Sequence, residues 1–509
     1  MVMAIALSRI PGEGRAQRIE EAIVLMERVL EILDANPNLA RPELRAETLA
    51  NLGASYGSRL THDPSHNLDR AIGYLRQALE QISKEEHGDL WAMVHTNLGL
   101  GFLNRLEFKH PQEAINGDDE IRKAIEHFEA ALRWRSFERN PLDWAFTQIN
   151  LGLAFARSRG ADRRADLHRA INHSELAVQG FSKAGVAALS AQALHNISGS
   201  KLDLANLDDT AAEDRVALLA EAEVAARASL EARGIAEDPI NAGETWSQLA
   251  RVLMEIGDRA GAVDAYRQAL TGLTPVAAPR QCREVARVLA SIAAEDGDWR
   301  AAAEFWETAV AAAVAAVESR ASNQGRLEEI RKNLNIFRWA AYALTREMKL
   351  ERAVEVLELG RGRELAAWLR RDLIDLDQLG HFDPALRDHF VELRFQLEEL
   401  DRAYRTGSQV SSDAGRTAEA FRGTVHRIRA LPGWKNFLSE PTCADIASAA
   451  RRGEPIGYLV TSPHGSVVLL VWADRNPRVE LIDVPASHPQ RSSNFSSELP
   501  RIPPWSAAT

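Results

Sequence analysis

Cys443 and His464 are the residues of this chain whose types and settings could do nucleophilic chemistry. Cys443 follows Thr442 at the expected start of a short helix, where the positive end of the helix dipole favours a thiolate. His464 precedes Gly465 in the sequence Pro463-His464-Gly465 and could serve as a base. A thiolate with an imidazole in reach would attack a carbonyl carbon. Each has a plainer role that the sequence favours: Cys443 has no base beside it, and His464 sits in a turn between two runs that read as strands. Cys282 falls inside a helical run and reads as a packed thiol. The dispersed histidines fit no metal spacing, so neither metal nor cofactor is expected. Gly360-Arg361-Gly362 has no strand before it and no Gly-Lys-Ser or Gly-Lys-Thr after it, which excludes a phosphate loop. No catalytic residue is assigned.

Almost everything else in the chain is repetition. Asn51-Leu52-Gly53, Asn97-Leu98-Gly99 and Asn150-Leu151-Gly152 are copies of one motif, with a decayed copy at Asn196-Ile197-Ser198. Each is followed by an alanine with a larger residue four positions on and a small one seven on, as in Ala71, Leu75 and Ala78 or Ala262, Tyr266 and Ala269. Offsets of four and seven share one helical face, so the second unit predicts an interhelical seam. In the first unit the leucine points inward and the glycine admits the neighbouring helix. Ala22, Met26 and Val29 begin the series, which returns at Ala71, Ala124, Ala170, Ala222, Ala262, Ala302 and Ala353. The intervals are uneven, and Pro, Gly, Asn and Asp in the surplus segments mark loops.

Residues 15–350 therefore resemble a tetratricopeptide array of seven to eight helical hairpins with long loops, and the fold class expected is an all-α superhelical solenoid. That resemblance implies a concave surface gripping a protein or peptide. Its lining would come from positions two before, two after and five after the motif leucine: Thr96, Leu100 and Leu103; Ile149, Leu153 and Ala156; Ser247, Arg251 and Met254. These are mostly apolar or small, which argues against a groove built to clamp an acidic tail; the plainer reading is that they pack on adjacent helices or on the chain's own C-terminal part, and the other is apolar peptide binding.

From residue 351 to 450 the reading is of junction helices. Asp383-Pro384 caps one that carries Leu386, Phe390, Leu393, Leu397 and Leu400 on one stripe. Residues 451–486 switch to period two, and Ile456 to Thr461, Val467 to Trp472 and Val479 to Val484 predict a three-stranded meander. The second strand is apolar on both faces and so calls for cover on both sides. Residues 487–509, rich in Ser and Pro, read as a disordered tail. The run Leu431-Pro432-Gly433-Trp434, the helix from Ala444 to Arg452 and the strand at Ile456-Gly457-Tyr458-Leu459-Val460 together resemble the start of a CHAT domain, a caspase-like module that accompanies tetratricopeptide repeats. The resemblance implies a small, incomplete α/β segment. In that family a His-Cys dyad comes later in the domain, and nothing after Val484 matches it. Two readings result: an interaction scaffold carrying a truncated CHAT-like segment, or the N-terminal part of a cysteine peptidase whose catalytic region is lost or supplied elsewhere.

The 509 residues carry 61 Lys and Arg against 72 Asp and Glu, a net charge of −11, with cations scattered rather than clustered. That balance argues against nucleic acid as the main partner. Two distant cysteines make no disulfide framework, and no apolar run is long enough to span a bilayer, so a cytoplasmic, membrane-free protein is expected.

Overall fold

A computed structural model describes residues 15–484 apart from 37, 39–40, 60–63, 107–116, 161, 234–237, 319–322, 361–375, 406–413, 433, 435–441, 452 and 474–477. The expected tail at 487–509, residues 361–375 of the expected junction helices and Gly433 of the 431–434 run lie outside the described residues. Contacts divide the chain into a unit ending at Ala265 and a second beginning at Tyr266.

In the first unit the helices are α1 (Arg15–Ala35), α2 (Pro42–Gly57), α3 (Pro64–Leu79), α4 (Lys84–Arg105), α5 (Gly117–Leu132), α6 (Pro141–Arg157), α7 (Arg163–Lys183), α8 (Ser190–Ala205), α9 (Ala212–Arg233) and α10 (Pro239–Ile256), with α11 (Arg259–Gly272) running across the boundary. Their starts reflect local chemistry. Ser83 and Asp162 accept from backbone N–H groups three residues on, and Pro141 and Pro239 occupy first turns, where the missing N–H costs nothing. Gly257 ends α10 in the left-handed conformation that glycine adopts without strain.

Motif helices α2, α4, α6 and α8 each pack against the next helix in the chain, and α2, α4, α6, α8 and α10 also touch one another in succession, so they form one layer. The seam lies where the spacing predicts. Ala71, Leu75 and Ala78 are buried, as are Ala124, Phe128 and Ala131, Ala170, Ser174 and Ala177, and Ala222, Ala226 and Ser229. A Cβ built at Gly53 would lie 2.7 Å from Leu75 Cγ and 3.0 Å from the Ala71 carbonyl oxygen, so the glycine is what lets α2 and α3 touch. The motif leucines Leu52, Leu98 and Leu151 are fully enclosed. This is a helical-repeat architecture.

The second unit contains α12 (Pro279–Glu295), α13 (Trp299–Glu318), α14 (Asn323–Arg346) and a helix over 350–360, α15. Helices α16 (Leu376–Phe382), α17 (Pro384–Arg405) and α18 (Ala414–Arg429) share a small core of Leu379, Leu386, Phe390, Val425 and Ile428. The expected cap holds: Leu386 N–H donates to Asp383 Oδ1 at 2.9 Å. The side chains of Leu397 and Leu400 are outside the described set. After α19 (Cys443–Ser448) come β1 (Ile456–Ser462), β2 (Gly465–Trp472) and β3 (Arg478–Val484), an antiparallel meander in the order β1-β2-β3 with Tyr458 opposite Leu469 and Leu469 opposite Leu481.

One face of this sheet supplies Tyr458, Val460, Val467, Leu469 and Val471 to a core shared with α13, α14 and α15. The β1-β2 turn is tied down by Tyr342, whose hydroxyl donates to the His464 carbonyl oxygen at 3.1 Å. Gly465 has φ +143°, and a Cβ there would meet that same hydroxyl at 2.8 Å. The opposite face is not covered by the described residues: Leu459 is 56% and Ile482 48% exposed. The two-sided cover expected of β2 is therefore present on one side only, supplied by the helices rather than by later strands.

Candidate functional site

Cys443 and His464 are not joined by any hydrogen bond among the described residues. Cys443 does sit at a helix N-terminus, capped by Thr442 and Asp445, but the environment reverses the expected effect. Its own N–H donates to Glu355 Oε1 at 3.1 Å, and burial, then the Glu351 and Glu355 carboxylates, push the thiol up to about 11. A buried thiol beside two carboxylates stays protonated at neutral pH and is a poor nucleophile. His464 is a turn residue whose ring meets the edge of Trp299 at 5.5 Å. Nearby, Trp299, Trp306, Trp339 and Tyr342 enclose a cavity of about 30 Å³, room for one water and no more. Cys282 is fully buried and is pushed to about 12 by burial. Both thiols are expected to resist iodoacetamide at pH 8 in the folded chain and to alkylate in urea, read by intact mass; native labelling of Cys443 at the rate of a free thiol would contradict this environment.

The surface of the motif-helix layer is more informative. On α4, Asp89, Met93, Asn97, Leu100 and Asn104 are reached by solvent and, spaced four, four, three and four apart, share a single stripe; Leu90, Trp91 and His95, off that stripe, are also half-buried. The same register on α6 gives Leu142, Phe146, Asn150, Leu153 and Arg157. On α2 it gives Glu43, Glu47, Asn51 and Ala54, and on α8 Gln192, Asn196, Gly199 and Asp203. On α10 the stripe sinks: Glu244 and Gln248 are buried, while Arg251 remains half-buried.

Of the expected lining, Leu100, Leu153 and Arg251 lie on this stripe. Thr96, Ile149 and Ser247 are buried between helices, as is Leu103, and Ala156 and Met254 are half-buried beside it. Thr96 shows why: its hydroxyl donates back to the Ala92 carbonyl at 2.9 Å and accepts from Arg135 Nη1 at 3.0 Å. The residue immediately before the motif leucine faces out instead. It is Asn51, Asn97, Asn150 and Asn196 in four successive motif helices, each half-buried, while the fifth carries Gln248 there, buried.

Those amides differ in how they are held. Asn51 Nδ2 donates to the Glu47 carbonyl, and Asn196 Oδ1 accepts from Gln192 Nε2. Gln248 Oε1 accepts from Arg251 Nη1 at 3.1 Å, and its buried Nε2 has no partner among the described residues. Asn97 and Asn150 make no hydrogen bond to described residues and sit half-buried with both halves of the amide available. Asparagine is a poor helix former, so its recurrence at one register gains nothing from helix propensity.

Beneath the stripe lies a repeated layer that holds the helices in register. His95 Nδ1 lies 2.8 Å from His127 Nδ1, and the equivalent pair one repeat on is Gln148 with His173 at 2.6 Å. Phe102 stacks on His127 and Phe155 on His173, as Tyr56 leans on Tyr74. Arg70, Lys123 and Arg169, one residue before the seam alanine in each case, cover those rings. Burial, then the His127 and Arg133 charges, pull His95 down to about 4, and burial lowers His127 and His173. The imidazoles are thus held neutral at pH 7 within the packing between helices. Among the described residues no cluster of His, Cys, Asp or Glu could hold a metal, and no helix is long and apolar enough to cross a membrane.

No family model and no curated protein matches the chain. Among solved structures, the human IFIT1 dimer with PPP-AAAA is similar at 16% identity over 69% of this chain and 69% of that one, with a TM-score of 0.40. A Rap protein complexed with competence and sporulation factor is 12% identical over 71% and 97%, with a TM-score of 0.39. A circular tandem repeat protein with novel repeat topology is 18% identical over 84% and 95%, with a TM-score of 0.25. The repeat architecture rests on helix pairing and register within this chain and not on these likenesses.

Proposed function

We propose that the chain is a protein-interaction scaffold whose first unit binds an extended segment of a protein partner along the amide-bearing stripe. The observation that carries this is a solvent-reached amide at the same register in α2, α4, α6 and α8, joined on the stripe by Asn104 in α4 and Gln192 in α8. A carboxamide offers a donor and an acceptor side by side and can pair with the N–H and C=O of any peptide group, whatever its side chain. Met93, Leu100, Leu142, Phe146 and Leu153 flank the amides with apolar surface for the partner's side chains; Leu142 and Phe146 are exposed, which an isolated helical layer has no reason to keep so. The carboxylates at the α2–α4 end of the stripe, Glu43, Glu47 and Asp89, would repel a phosphate backbone there, while Asp203 is paired with Arg163 and Arg157 and Arg251 stand farther along, so the α2–α4 end is what favours a protein over a nucleic-acid partner. No cofactor enters this reading.

The C-terminal helix and hairpin are read as a CHAT-like segment docked on the helices of its own unit, a scaffold element without catalysis. The peptidase alternative needs an activated thiol, and the protonated Cys443 beside Glu355 speaks against one in this chain.

Peptides selected from a random display library on the full chain supply the test. Asn97→Ala with Asn150→Ala is expected to weaken the selected peptides about 10- to 100-fold by fluorescence anisotropy, since each lost amide removes hydrogen bonds of about 0.5–1.5 kcal/mol. The circular dichroism spectrum should not change. Equal affinity for both proteins would remove the stripe from the reading.

A further inference from the structure

We propose that the groove between α1 and α2 is the end of the stripe that receives a basic side chain, so that the bound segment carries Lys or Arg there and apolar residues beyond it. The proposal rests on the peptide reading above and adds to it the chemistry and direction of the ligand.

The groove encloses about 600 Å³ and is lined by Val29, Ile32, Leu33 and Leu44 together with the carboxylates of Glu43 and Glu47. Glu47 holds the register that Met93 and Phe146 hold in the next two repeats, and Glu43 that of Asp89 and Leu142, so the groove and the stripe share a wall. Like charges at i and i+4 on one helix destabilise it. The dipole at the start of α2 compensates for Glu43, in the first turn, but not for Glu47 one turn further in.

Neither carboxylate has an ion pair among the described residues. The two nearby cations do not supply one: Arg45 is paired with Asp34, and Arg41 on the groove lining makes no ion pair with either glutamate. A Lys or Arg from a partner meets both needs, because its aliphatic stem can lie on Ile32, Leu33 and Leu44 while its head lies between the carboxylates. Beyond the groove the stripe carries Asp89 and then turns apolar at Met93, Leu142 and Phe146, so the partner residues beyond the cation are apolar.

The test uses the full chain, immobilised, with random dodecapeptides displayed and selected on three proteins: the native chain, Glu43→Gln/Glu47→Gln and Asn97→Ala/Asn150→Ala. Peptides recovered on the native chain are expected to be enriched in Lys or Arg toward one end, with apolar residues beyond. Their binding is expected to fall at least about tenfold on the double glutamine variant and to weaken as salt rises. That variant removes a like-charge pair from a solvent-facing helix, so it should fold as the native chain does. Selected peptides without basic enrichment, or equal binding to the glutamine variant, would overturn the groove assignment while dependence on Asn97 and Asn150 left the peptide reading standing. Failure to recover any peptide on the native chain would overturn both.

Discussion

Gly99→Ala is expected to destabilise the first unit by about 3 kcal/mol, at the upper end of what a single added carbon costs in a packed core. The added Cβ would lie 2.5 Å from Cε1 and 2.7 Å from Cζ of Phe128, far inside contact distance. Phe128 cannot step aside. Its ring is fully buried among Leu98, Phe102, Ala124 and Leu151, and it occupies the seam slot between α4 and α5 that Leu75 fills one repeat earlier. Gly73→Ala, in the middle of α3, is the control: no atom lies within 4 Å of its added Cβ, so the exchange should stabilise by about 0.5–1 kcal/mol through the helix propensity of alanine. The two changes are chemically identical and are expected to have opposite signs. Chemical denaturation monitored by circular dichroism separates them, and Phe128→Leu introduced with Gly99→Ala should recover part of the loss by opening the slot. A Gly99→Ala protein as stable as the native chain would mean that α4 and α5 do not approach as closely as the repeat requires.

Much of that seam was legible in the residues, because a small residue, a large one and a small one at offsets of four and seven can share a face in no common element except a helix. The motif glycines were legible for the same reason: a residue without a side chain, next to an enclosed leucine, marks close approach. The meander was legible from its change of period. What the pattern could not say was which side of a motif helix meets solvent. Residues two before and one before the leucine are 100° apart on the helix, and the choice between them depends on how each helix leans on the next. Loops of uneven length leave that lean unspecified. Thr96 and Ile149 therefore face neighbours, and Asn97 and Asn150 face out.

The asparagines were visible as a fourfold recurrence, yet their constancy beside Leu and Gly made them look like part of a packing motif. Their cost to the helix is what the proposed peptide binding would account for. The thiol shows the opposite failure. A helix N-terminus lowers a cysteine pKa when nothing else is near; at Cys443 burial, followed by the Glu351 and Glu355 carboxylates, overrides that effect, and Glu355 lies 88 residues earlier in the chain. No local reading could have supplied it.

Truncating Leu469 to alanine is expected to destabilise the second unit by about 2–5 kcal/mol, the range for a buried leucine whose cavity cannot collapse. Leu469 is the middle residue of the central strand, fully enclosed, with Tyr458 on one side and Leu481 on the other. Both neighbouring strands are sheet edges with no partner strand beyond them among the described residues, so neither can shift inward without losing its only ladder. The sheet face it belongs to is also the cover of α14, where Ala340, Ala341 and Leu344 are fully buried. The repeat logic taken alone would let residues 451–509 be removed without loss, since each hairpin of a solenoid buries its face against its neighbours. The shared core says otherwise for the last helices of the second unit: removing the meander would strip cover from α13, α14 and α15 together and leave Tyr342 without the His464 carbonyl. Hydrogen exchange over residues 299–346 is the discriminating measurement. Faster exchange there in Leu469→Ala, with a matching fall in the denaturation midpoint, would establish the sheet as part of the array's core. Unchanged exchange would mean that the meander rides on the helices without supporting them, and that the chain could be shortened at residue 450 at no cost to the fold.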